Sequence, residues 1–248
     1  HVRSRRQRQM CIRDSFSLDA SLQEIIWVLA PVVITLVSTQ IGTAVGLLLV
    51  AVVLVGGGAW FILSPEVGRV RIPRSRSALG KVVLKPPVLL ATIIGFLLIG
   101  ACSAVEVGVV ATFEHGSLAA GLVLAVFAVG SLAGGLSFGH IPIGPWAMAR
   151  RLTIVTVGLA LTMFSLNEFW LGGTLIVAGI GVAPALAVLF AITTASVKFS
   201  ETAEAFGWAG TGQLIGAAAG SAVAGFLVDA TDPRGAYLAA TLFAAAGL

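Results

Sequence analysis

Long apolar runs with almost no charged residues are the feature that most limits how this chain can fold. An α-helix needs about 20 apolar residues to cross a bilayer, and several runs approach or exceed that length. Seven spans are predicted, at 25–39, 44–63, 88–113, 118–138, 152–166, 170–197 and 206–228. A further run, 236–248, is too short to cross and is interpreted as a truncated eighth span.

The composition excludes a water-soluble domain. Apolar residues make up 58% of the chain and charged residues only 10%, whereas soluble domains contain about 25% charged residues. The predicted fold class is therefore all-α, a polytopic helical membrane protein. The net charge of +4 does not indicate a nucleic-acid partner, because no basic face is interleaved with aromatic residues.

Segment 64–86, SPEVGRVRIPRSRSALGKVVLKP, is a polar stretch between two predicted spans, with six basic residues and one acid. Basic loops are retained on the cytoplasmic side of a membrane, so this loop is predicted to be cytoplasmic. Alternation of the spans then puts 139–151 and 198–205 on the same side. These three loops hold nine Lys and Arg residues, against Arg234 alone on the other side. Arg150 and Arg151 are expected to anchor the cytoplasmic face.

Residues 1–15, HVRSRRQRQMCIRDS, differ in character from the sequence that follows. They look like a translated sequencing adaptor and are expected to be a non-native leader; the alternative is a native basic cytoplasmic tail. The chain begins with His and ends within an apolar run. It is therefore expected to be a fragment of a longer protein.

Glycines recur every four residues in two predicted spans. Gly212, Gly216 and Gly220 lie on one helix face, as do Gly130 and Gly134. Small residues at this spacing let helix backbones approach closely in a bilayer. We expect them to mediate helix packing within the chain. Dimerisation through these faces is an alternative, and the spacing does not separate fixed contacts from sliding ones.

Glu106 is the only charged residue clearly inside a predicted span. Carboxylates within membrane spans face a cavity or a partner and often relay protons, so Glu106 is a candidate to bind a proton or a cationic substrate. The alternative is that it reaches interfacial water from the outer end of its span. Gln213 and Thr211 are candidates to line the same cavity, or else to form interhelical hydrogen bonds.

No residues with the pattern of a catalytic, cofactor or metal site are found. His115 and His140 have no second ligand at the spacing that a metal site requires. The chain also lacks the G-x-x-x-x-G-K-[ST] loop that binds nucleotide phosphates. We therefore expect no cofactor and no enzymatic activity.

Three stretches resemble transporters of the major facilitator superfamily. GLVLAVFAVGSLAGGLSFGH, followed by Arg150 and Arg151, resembles the eighth helix and the loop after it. ETAEAFGWAGTGQLIGAAAGSAVAGFLVDATDPRGAY is similar to the eleventh helix of bacterial drug-efflux members, and EIIWVLAP resembles the start of the fifth.

This resemblance implies that the chain covers roughly helices five to twelve. Segment 16–63 would hold the last two helices of the N-terminal half, 64–86 the central cytoplasmic loop, and 87–248 the C-terminal six-helix half with its last helix truncated. The family implies a cavity at the membrane midplane and alternating access. The expected function is proton-coupled efflux of a small molecule across a bacterial plasma membrane, with the lipid bilayer, the substrate and the proton as partners.

Two other classes of function stay open at this point. A permease subunit of a pump driven by a separate ATPase would use a cytoplasmic segment such as 64–86 to contact that ATPase. A membrane-embedded enzyme would need paired acids or a nucleophile with its base inside the membrane, and only Glu106 is present.

Overall fold

The fold is described from a computed structural model of the chain. It describes residues 36–65, 80–113, 117–138 and 146–248, together with positions 26, 29–30, 33–34, 67 and 143–144. These residues form helices and turns and contain no strand, so the all-α prediction is confirmed. The helices are α1 (Thr43–Leu63), α2 (Pro86–Thr112), α3 (Leu118–Phe138), α4 (Ala147–Thr162), α5 (Glu168–Ser196), α6 (Thr202–Ala230) and α7 (Arg234–Ala246), with a 3₁₀ turn at Phe199–Glu201.

Among the described residues, five helices are long and apolar enough to span a membrane: α1, α2, α3, α5 and the stretch Phe199–Ala230 that contains α6. The predicted count of seven complete spans is not confirmed. Helix α4 has 16 residues and so rises about 24 Å, short of the roughly 30 Å hydrocarbon core. Of the predicted span 25–39, six of the fifteen residues lie outside the described residues. The predicted leader 1–15 lies wholly outside them, and segment 64–86 largely so.

Local sequence accounts for where several helices begin. Pro86 opens α2, a position where the missing N–H costs nothing because the first helical N–H groups have no partner. Asn167 caps α5, its side-chain oxygen accepting a hydrogen bond from the Phe169 N–H at 3.0 Å. Helix α4 begins at Ala147, five residues before the span predicted at 152–166, so Arg150 and Arg151 are its fourth and fifth residues rather than loop residues.

Helices α2 to α7 pack into one bundle. Helix α2 contacts α6 and α7, while α5 contacts α3 and α4, and the two groups meet through α2 with α5 and through α4 with α7. The large side chains of the shared core are fully buried: Leu98, Leu152, Leu159, Leu171, Leu175 and Tyr237.

The helices of the bundle run alternately up and down. Thr92 lies against Gly212 and Phe96 against Gly216, so α2 and α6 are parallel. Helices α4 and α5 are antiparallel, because Gly158 contacts Ala178 while Val155, earlier in α4, contacts Gly181, later in α5.

Charge is distributed unevenly between the two ends of this bundle. One end, formed by residues 80–86, 146–151 and 196–204, is called the basic end here. At the opposite end, which includes 229–234, the described charged residues are the three acids Glu168, Asp229 and Asp232 together with Arg234. Of the six basic residues that the structure describes, five lie at the basic end: Lys81, Lys85, Arg150, Arg151 and Lys198.

Helix α1 differs from the others because it packs against none of the other six described α-helices. Its only buried residue is Gly46, which lies against the Ser38 side chain. Its apolar side chains are exposed along its length, as in Leu54 at 74%.

Candidate functional site

Glu106 lies in α2, two turns before the helix ends, between residues that pack in the core. It is half-buried. Within the described part of the chain, its carboxylate makes no hydrogen bond or ion pair. A carboxylate without a partner is costly inside an apolar helix. Binding a proton or a cation would remove that cost.

Glu106 follows Gly95 by 11 residues, which is close to three helical turns, so the two residues share one face of α2. Gln213 of α6 lies against this face, where a Cβ on Gly95 would be 3.2 Å from its Cγ. The structure therefore places Gln213 and Glu106 along the same side of α2 but about 16 Å apart along its axis. They do not form one compact site.

Gln213 lies where α2, α5 and α6 meet, since a Cβ on Gly95 would also lie 3.4 Å from the Cδ1 atom of Leu189 in α5. Its Nε2 atom is buried and has no hydrogen-bond partner among the described residues. Leaving a buried amide donor unpaired costs about 1–3 kcal/mol, so this N–H group is available to a ligand or to water. Thr211 does not join it, because its exposed hydroxyl donates to the Gly207 carbonyl of its own helix at 2.8 Å.

The glycines of α6 lie against the backbone of α2. Gly212, Gly216 and Gly220 face Thr92, Phe96 and Gly100 in turn, and a Cβ at any of the three would come closer than real Cβ atoms do. The two backbones therefore approach as closely as glycine permits, which small residues at four-residue spacing allow in a bilayer.

A second parallel pair, α3 and α5, is built in the same way. Gly130 faces the Ile176 carbonyl and Gly134 faces the Ile180 carbonyl. Here α5 continues through a proline, and Pro184 has no N–H to donate to the Ile180 carbonyl. Ser131 of α3 accepts a hydrogen bond from the neighbouring Ala183 N–H at 3.2 Å. Hydroxyls of adjacent helices commonly satisfy backbone groups near a membrane proline.

A cavity of about 70 Å³ lies beside Pro184 at the basic end of this pair. Its lining is apolar except for one cation and comprises Gly135, Phe138, Ile143, Arg151, Pro184, Ala187 and Val188. Arg151 is 5% exposed, and its guanidinium lies 5.8 Å from the centre of the Phe138 ring.

The prediction that both arginines anchor the surface is therefore wrong for Arg151, which points inward, whereas Arg150 is exposed. Consecutive helical residues point about 100° apart, and sequence alone does not show which of the two faces the core.

The other parallel pair is joined at the basic end by a group of polar contacts. Lys85, just before α2, forms an ion pair of 2.7 Å with Glu201, just before α6. Glu201 also accepts from the Lys198 N–H at 3.1 Å, and Glu204 accepts from the Gly80 N–H at 2.7 Å. We call these contacts the clasp.

The Glu201 side chain lies in the polar turn before α6, outside the apolar part of the span. The hydrogen bond from Lys85 and then that from the Lys198 N–H lower the pKa of the Glu201 carboxyl below its ordinary value. Lys85 and Glu201 are 116 residues apart in the sequence, and Gly80 and Glu204 are 124 residues apart. No local sequence pattern predicts these contacts.

Within the residues that the structure describes, no group of three or more His, Cys, Asp or Glu side chains is arranged to hold a metal ion. No model of a known protein family matches the chain, and the search of curated proteins finds no match either.

Proposed function

We propose that this chain forms part of a secondary transporter of the major facilitator superfamily type. In this proposal Glu106 binds a proton, or exchanges it for a cationic small molecule, during efflux. The observation that carries the proposal is a half-buried carboxylate without a partner among the described residues, inside a 27-residue apolar helix.

The placement of Gln213 supports this role. Its unpaired amide and the Glu106 carboxylate lie along the same face of α2. The closest α6 contacts lie on the neighbouring face, formed by Thr92, Phe96 and Gly100, and Gln213 extends from α6 over Gly95. A polar stripe on an otherwise apolar helix is typical of a face that lines a substrate or ion pathway.

The packing of the bundle supports alternating access. Its two groups, α2 with α6 and α7, and α3 with α4 and α5, each contain a parallel helix pair in glycine-mediated contact. Such units can rock as rigid bodies around a fixed site near the membrane midplane. The concentration of Lys and Arg at the basic end favours a cytoplasmic location for that end.

The proposal is tested by efflux of ethidium, used as a lipophilic cationic probe, from cells that express the complete transporter of which this chain is proposed to be part. Glu106→Gln keeps the shape of the side chain and removes its charge and its exchangeable proton. We expect this variant to lose at least tenfold in proton-gradient-dependent efflux. Glu168→Gln, at an exposed position at the start of α5, is the matched control and should retain efflux. Equal efflux in wild type and Glu106→Gln would contradict the proposed role.

A further inference from the structure

One charged side chain, Arg151, lines the cavity between α3, α4 and α5. It has no oppositely charged partner among the described residues. Arg151 is 95% buried, and its Nη1 atom has no hydrogen-bond partner among the described residues. The guanidinium lies over the ring of Phe138, and this contact attracts the cation but supplies no negative charge to compensate it.

No carboxylate on the elements packed around Arg151 neutralises it. Helices α3, α4 and α7 contain no Asp or Glu, and the one acid of α5, Glu168, lies at the far end of the bundle. The start of α4 is held inside by backbone packing, because a Cβ on Gly181 would lie 2.5 Å from the Arg151 carbonyl oxygen. The guanidinium therefore stays buried beside the cavity, where an uncompensated charge is strongly unfavourable.

We propose that this cavity binds a monovalent anion, which pairs with the Arg151 guanidinium. A single buried cation compensates one negative charge, and a divalent anion would leave a second charge against walls formed by Phe138, Ile143 and Val188. The cavity of about 70 Å³ exceeds the roughly 10–15 Å³ that one water needs on the same measure. It has room for a halide ion or for a single phosphodiester group.

Two sources supply an anion of this kind. Chloride reaches the partly open cavity from solution, and the phosphodiester of an anionic lipid reaches it from the membrane surface, where basic residues recruit such lipids. Both place one negative charge next to Nη1. This site is separate from Glu106, and the proposal does not depend on transport.

The test is the thermal unfolding of the full chain in a neutral detergent. Chloride replaces gluconate, a bulky monovalent anion, at constant ionic strength. The midpoint of wild type should rise saturably by about 3 °C, as expected when a ligand binds only the folded state. In a second arm, phosphatidylglycerol or phosphatidylcholine is added at fixed gluconate concentration. A response to chloride identifies a solution ion, and a response to phosphatidylglycerol alone identifies the lipid group.

Three variants make the result specific. Arg151→Gln should lose the response, while Arg150→Gln removes the same charge from the exposed neighbouring residue and should keep it. Ala187→Leu retains the arginine but fills the rim of the cavity, and should also lose the response, which covers the case in which Arg151→Gln does not fold. If wild type responds to neither anion, or if Arg150→Gln and Arg151→Gln respond equally, the proposal is overturned.

Discussion

The parallel pairs α2–α6 and α3–α5 both pack through glycines, but they differ in the polar groups at their basic ends. In both, glycines four residues apart place one helix against the carbonyl groups of the other. At the basic end, however, α2 and α6 are joined by the Lys85–Glu201 ion pair. The α3–α5 pair ends beside a cavity and the uncompensated Arg151.

The backbones differ as well. Helix α6 contains no proline, whereas α5 contains Pro184, and the preceding Ala183 N–H donates to Ser131 of the neighbouring helix. In these two pairs, glycine spacing determines how closely the helices pack. A few polar residues determine whether the basic end of the pair is joined by an ion pair or contains a cavity.

The largest effect is expected from closing the space that the glycines leave. Gly216→Leu would force a side chain into the Phe96 backbone, and overpacking of this kind should lower the free energy of unfolding by about 3 kcal/mol. Gly225→Leu, in the same helix with nothing within 4 Å of an added Cβ, is the matched control. It should be neutral or stabilising by up to about 1 kcal/mol. Equal losses in the two variants, measured by denaturant unfolding in detergent, would show that α6 does not pack through Gly216.

A smaller effect is expected at the proline of the second pair. Ser131→Ala removes the acceptor of the Ala183 N–H, and the loss should be about 1 kcal/mol, since interhelical hydrogen bonds in membranes contribute modestly. Ser137→Ala, at an exposed position of the same helix, should change the free energy of unfolding by less than half as much. If Ser137→Ala costs as much as Ser131→Ala, the hydrogen bond has no special role in joining α3 to α5.

The smallest effect is expected at the clasp, because its lysine is partly exposed and such ion pairs are weak. The folded-state pKa of Glu201 lies below that of the unfolded chain. Its stabilising contribution is therefore present above the ordinary glutamate pKa of about 4.3 and is lost as the pH falls through the lower folded value.

Hydrogen exchange in segment 80–86 measures this effect. At neutral pH, Glu201→Gln should exchange faster there than wild type, and the difference should vanish at the acid end of the titration. Glu168→Gln, at the opposite end of the bundle, serves as the control. A difference between Glu201→Gln and wild type that persists unchanged into strong acid would contradict the assigned pair.

Much of the helical layout follows from the sequence. Residues 118–138 were predicted as one span and form α3 with the same bounds, because the run contains neither proline nor charge and ends at polar segments. The start of α4 was predicted too late, since Arg150 and Arg151 resemble loop residues by charge although helix geometry accommodates both. The count of seven spans is not confirmed at 25–39, which is described only in part, or at α4, whose apolar run is too short to decide by length.

The candidate sites are less predictable than the helices. Glu106 stands out in the sequence because a charge in an apolar run is rare. The inward orientation of Arg151 and the pairing of Lys85 with Glu201 depend on which helices become neighbours, and residues more than 100 positions apart give no local signal of that. The family resemblance and the transport role stay predictions, and the experiments above address them.

Reaction of the intact protein in lipid vesicles with dicyclohexylcarbodiimide tests the central role of Glu106 most directly. This lipid-soluble reagent modifies protonated carboxyl groups, and peptide mass spectrometry locates the product. We predict that Glu106 is modified, that the extent falls as the pH rises, and that Glu168 at the bundle end reacts far less. A Glu106 that stays unmodified at every pH, or reacts no more than Glu168, would contradict the account of a proton-exchanging carboxylate within the membrane.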